Sequence, residues 1–158
     1  MSLTIQKDRA RLLEENFFEY SFDDREPDQQ LFNQITNPAE LHFIADLYNW
    51  DDGTEVLEWI VDSDLCDEGT AKLIFWRAEP QDFTSCESVV DVGFMGEDVY
   101  KLLRKIIRNF EDGIYKKATI AYDPAMDVDL NYKNPKEKWA IPEYLKQPTK
   151  GQSIVLVG

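Results

Sequence analysis

The sequence predicts a mainly α-helical fold, with short antiparallel helices stacked in one globular domain over residues 1–158. Two observations lead to it. Val99, Leu102, Leu103, Ile106, Ile107 and Phe110 recur at the period of one helix face. Asn37-Pro38 joins a capping residue to a proline at the first helical position, and Leu41, Ile44, Ala45 and Tyr48 follow on one face. At most a minor β element is expected, near residues 88–94 or 153–157.

The elements follow in order. Leu3 to Tyr20 is helical in character, with Leu12, Leu13, Phe17 and Tyr20 near one face, and Phe22-Asp23-Asp24-Arg25-Glu26-Pro27 breaks it. Asp28 caps a short helix carrying Leu31, Phe32 and Ile35. The helix opened by Asn37-Pro38 ends before Gly53, and Thr54 begins another with Val56, Leu57, Ile60 and Val61 as its stripe. Ser63 and Asp64 interrupt, and a third helix runs from about Asp67 to Trp76. Links this short make antiparallel neighbours of the three. Residues 79–95 show no clear period. Acids at Glu97 and Asp98 start the next helix, over 97–111, and Gly113 follows its end. Beyond it, prolines at 124, 135, 142 and 148 punctuate a polar stretch, with one short helical turn from Pro142 to Leu145.

Composition bounds the class. Apolar residues make up 43% of the 158 and aromatics 13%, enough for a packed core and too much for a disordered chain. The longest apolar runs, Leu73–Trp76 and Ile154–Val157, are far short of a membrane span, and no signal-peptide layout precedes them. A cytoplasmic protein with reduced Cys66 and Cys86 is expected. With one histidine and no CxxC pair, no metal site and no cofactor are expected. Net charge is −14, with 18 acidic and 6 basic side chains in residues 1–78 against 13 and 11 in residues 79–158. Such a surface repels phosphate backbones, so nucleic acid is excluded as a partner and a basic protein suits it.

The residues that bear chemistry crowd into His42–Trp76. His42 is the only histidine and the natural general base near neutral pH. Asp51 and Asp52, in the turn Asn49-Trp50-Asp51-Asp52-Gly53, could serve it, or join Asp62 or Asp67 around a cation. The plainer expectation is structural: Asn and Gly tolerate left-handed backbone, Asp52 caps the next helix, and Trp50 fills the space between helices. Cys66 stands at a helix start among Asp64, Asp67 and Glu68, whose charges oppose a thiolate, so a buried structural thiol is expected. Asp127-Val128-Asp129-Leu130-Asn131 imitates a calcium loop but has Tyr132 where glycine is required and Lys138 where the bidentate glutamate belongs. Trp50, Trp59 and Trp76 are candidate binding residues for a partner groove.

His42, then Tyr48-Asn49-Trp50-Asp51-Asp52-Gly53, then Cys66-Asp67 and Gly69-Thr70-Ala71 leading to Phe75, resembles the bacterial family called domain of unknown function 4274 over residues 38–80. The resemblance implies a small, mostly helical bacterial domain and no assigned activity. One departure is Lys72, where an apolar residue would be expected.

The acidity of the first half, the aromatic cluster and the absence of a catalytic motif lead to the expectation of a non-enzymatic interaction protein, an immunity-type or regulatory binder of a basic partner. The alternatives are a small enzyme or metal-dependent hydrolase using His42 with Asp51 or Asp52, and a structural homodimeric module.

Overall fold

Helix starts fall where capping chemistry puts them. The computed structural model describes residues 3–158. Strand β1 (Thr4–Gln6) runs straight into α1 (Lys7–Phe17), followed by α2 (Gln29–Asn33), α3 (Pro38–Leu47), α4 (Glu55–Asp62), α5 (Glu68–Arg77), α6 (Glu97–Glu111), α7 (Glu143–Lys146) and strand β2 (Val155–Val157). Asp28 accepts from Leu31 N at 3.0 Å, Asn37 from Ala39 N at 3.0 Å and Asp67 from Gly69 N at 2.9 Å, each satisfying an amide that the first helical turn leaves unpaired. The periodic stripe of α6 is its buried face: Tyr100, Leu102, Leu103, Ile106 and Ile107 point inward, while Lys101, Arg104 and Arg108 are exposed. Gly113 ends the helical region at φ 68°, a left-handed conformation that side-chain-bearing residues avoid.

Helices α3 and α5 pack on each other at the centre, with α1 and α4 against α3 and α6 against α5. Every residue of α3 from Ala39 to Ala45 is buried, and so is every residue of α5 from Gly69 to Trp76. One apolar cluster joins Leu3 and Ile5 at the amino-terminal end to Ile141 and Leu145 near the other end. Trp76, Phe17 and Phe75 are its largest fully enclosed side chains. Each such ring contributes about 1.5–3 kcal/mol by leaving water.

One expectation is corrected, and of the two places expected for a minor β element one is occupied. Leu3–Gln6 does not extend the first helix. Instead β1 pairs in parallel with β2, Thr4 opposite Val155, Ile5 opposite Leu156 and Gln6 opposite Val157. The β element therefore lies in the 153–157 stretch. Residues 88–94 form no strand but two 3-10 turns, Val89–Asp91 and Phe94–Gly96, separated by Gly93 at φ 83°. Asp91 accepts from Glu87 N at 3.1 Å and closes the first of them, a local bond that competes with pairing. Between α6 and α7 the chain is irregular, held by single bridges, Ile120 with Gln152 and Tyr122 with Thr149. Among the described residues no helix is long and apolar enough to cross a membrane.

Candidate functional site

His42 sits in the buried middle of α3, its Nδ1 2.8 Å from the Thr70 hydroxyl of α5. Burial pushes its pKa down to about 4, against the opposing pull of Asp46 and Asp67. The ring is neutral near pH 7. It lines a shallow hollow of about 360 Å³ with Phe43, Asp46, Leu47 and residues of the carboxyl-terminal segment. Neither Asp51 nor Asp52 is on that wall, and among the described residues no contact joins them to His42. Asp51 is exposed. Asp52 does not cap α4, since no side chain caps that helix; its Oδ1 accepts from the backbone N–H and the hydroxyl of Ser21 instead.

The other acids are engaged elsewhere. Asp62 pairs with Lys105 at 2.7 Å, and Asp127 accepts from Tyr122 and Arg77. Among the described residues no group of three or more His, Cys, Asp or Glu side chains is arranged to hold a metal ion.

Five residues of the Cys66–Trp76 stretch form a seam against the carboxyl-terminal segment. Asp67 is 2% exposed. Its Oδ1 accepts from Gly69 N and from Ile120 N at 3.2 Å, and its Oδ2 from the amide and hydroxyl of Thr119, both at 2.8 Å. Gly69 lets the two backbones meet: a Cβ there would lie 2.1 Å from the Ile120 carbonyl oxygen. The Glu68 amide donates to the Lys117 carbonyl at 2.8 Å, extending the same junction. Cys66 is buried, and burial pushes its thiol well above the ordinary range. Lys72 is buried too. Its stem lies where an apolar side chain would, and its ammonium donates to the Gln147 carbonyl at 2.9 Å and faces Glu68 at 3.7 Å.

Of the three candidate tryptophans, Trp76 is fully enclosed, its indole N–H donating to the Leu145 carbonyl at 2.7 Å. It is a core residue, a correction to its assignment as a binding residue. Trp59 is half-buried beside Phe32, ring centres 5.4 Å apart, and Trp50 is half-buried against the core.

What the turn at 49–53 does build is a two-segment acidic face. Tyr48 donates to the Gly53 carbonyl at 2.7 Å, and its oxygen lies 2.7 Å from the Tyr20 hydroxyl. Tyr20 reaches the Asp52 carbonyl at 3.1 Å. Burial raises both phenol pKa values, so both rings stay protonated at neutral pH. This web ties Ser21 to Asp52 and brings Glu26 and Glu55 near Tyr20, while Glu19, Asp23 and Asp24 lie in the same loop, Asp23 paired with Arg25 at 3.5 Å; Phe22 in that loop is 68% exposed. Sequence reasoning treated Phe22 only as part of a helix break. The available signal was an aromatic residue inside a run of acids.

Residues 36–111 match the family model Domain of unknown function (DUF4274). Over those 76 of its 158 residues the chain is similar to this family. The match reaches further than the 38–80 resemblance and takes in α6. Asp67, Lys72 and Trp76 of the DUF4274 segment all bond to residues 119–147, beyond the match. No curated protein and no solved structure matches the chain.

Proposed function

We propose that this chain is a non-enzymatic interaction protein of the bacterial cytoplasm, of the immunity or regulatory kind, that binds a basic protein partner through its acidic face. The observation that carries this reading is Phe22, two-thirds exposed and followed in its loop by Asp23, Asp24 and Glu26. An exposed aromatic side chain within a field of one sign suits a pocket on a surface of the other sign, where the ring is desolvated and the charges are neutralised.

The loop is also set in shape before binding. Glu19 and Asp24 hold left-handed backbone at φ 55° and 57°, and the Arg25 guanidinium donates to the carbonyls of Asn16 and Phe18, both at 3.1 Å. A pre-ordered loop loses little entropy on association. The net charge of the first 78 residues then steers a cationic partner toward it.

The test is affinity capture from the source organism at low salt with wild type, Phe22→Ala and Asp23→Lys. A basic protein is expected that dissociates as salt rises, with affinity falling about tenfold or more for Phe22→Ala. Capture of nothing at low salt, or of a partner indifferent to both substitutions, overturns the reading.

A further inference from the structure

Helix α4 carries Glu55 on the acidic face, and one turn further along the same side Glu58 edges a trough of opposite character. The trough measures about 540 Å³, with Lys101, Arg104, Lys105 and Arg108 of α6 along it and Val89 at its rim. Lys101 is paired with Glu97 at 2.9 Å and Lys105 with Asp62 at 2.7 Å. Among the described residues no carboxylate pairs with Arg104 or Arg108. Arg104 stacks over Trp139, 5.0 Å from the ring centre, which covers its plane and leaves its edge N–H groups open. Arg104 and Arg108 are one helical turn apart, a rise of about 6 Å along α6, and their guanidiniums suit a pair of carboxylates. From Val89 the surface continues into Val90, Phe94 and Met95, which are 90%, 91% and 91% exposed. Three large apolar side chains that bare, in turns packed against a cationic helix, mark a surface that is covered in use.

We propose that a second copy of this chain covers it, in a two-fold dimer. The acidic face of each protomer lies on the trough of the other: Asp23 and Glu26 meet Arg104 and Arg108, and Phe22 packs on the Phe94–Met95 ridge. Adjacency of the two opposite patches is the geometric argument. A two-fold axis between neighbouring complementary patches satisfies both at once and closes the assembly at two. A small anion would leave the apolar ridge in water. The acidic face is the one proposed above for a basic partner, yet the dimer requires no such partner, so purified protein tests it separately.

The experiment is a reciprocal charge swap followed by sedimentation equilibrium at low salt. Wild type is expected to show twice the 18.4 kDa chain mass. Arg104→Glu with Arg108→Glu, and separately Asp23→Lys with Glu26→Lys, are expected to give monomers with wild-type circular dichroism. Mixed in equal amounts, the two double variants are expected to recover the doubled mass, because each reversed patch meets a reversed patch. Lys101→Glu with Arg108→Glu replaces the first variant if loss of the Trp139 stacking contact prevents folding. A monomeric wild type, a dimer that survives either double variant, or a mixture that stays monomeric overturns the proposal. A monomeric wild type that co-sediments with anionic vesicles would point instead to a membrane.

Discussion

Replacing Asp67 by alanine tests whether the family motif is a structural seam. The carboxylate is buried, caps α5 through Gly69 N, and accepts from the amides of Thr119 and Ile120 and from the Thr119 hydroxyl. Loss of a helix cap costs about 1 kcal/mol. Depriving buried amides of their charged acceptor costs about 1–3 kcal/mol each. Thr119 is only half-buried, so water recovers part of its share, and the sum falls at about 4 kcal/mol. That is a large fraction of a domain's stability. Urea unfolding followed by circular dichroism measures it, and hydrogen exchange locates it. Protection should fall first at Thr119, Ile120 and the Gly69 amide, with α6 retaining its own. A loss below about 1 kcal/mol, or unchanged exchange at 119–120, would refute the idea that this residue holds the carboxyl-terminal segment in place.

Two further outcomes follow from the same geometry. Gly69→Ala should cost about 2 kcal/mol in urea unfolding, because its methyl group would meet a backbone oxygen that cannot swing aside and the small gain in helix propensity does not compensate. His42 sets a pH dependence: the folded pKa of about 4 lies below the unfolded value of about 6.5, so the unfolded chain binds the extra proton and stability falls with pH from about 6.5 down to 4. The loss by pH 5 is about 2 kcal/mol from this residue, and His42→Gln should remove that part of the slope in unfolding midpoints compared at pH 7 and pH 5.

What could be read from the sequence was local. The α6 stripe and the caps Asp28 and Asn37 act within a few residues of themselves, and all are found as expected. The carboxyl-terminal third was unreadable because its order is borrowed. Thr119 is fixed by a residue 52 positions away, and Leu145 and Gln147 by side chains 69 and 75 positions away. No periodicity encodes such pairings. Strand β1 failed for the same reason: three residues that continue into a helix pair with a strand at the far end of the chain. The candidate site was legible in part. His42 and the 49–53 turn stand out in the sequence, but their destinations, Thr70 and Ser21, depend on how the helices stack. Lys72 looked like a misfit because sequence gives no sign of the carbonyl that receives its charge.

The parallel pairing of β1 with β2 has a mechanical consequence. Because both strands run the same way, the chain enters the fold at one end of the pair and leaves it at the other. A pulling force applied through the two ends therefore slides the strands along each other and loads all their hydrogen bonds together, where an antiparallel pair would unzip bond by bond. Small as it is, the ribbon is a shear clamp, and tension on the ends reaches the helices only after it gives way.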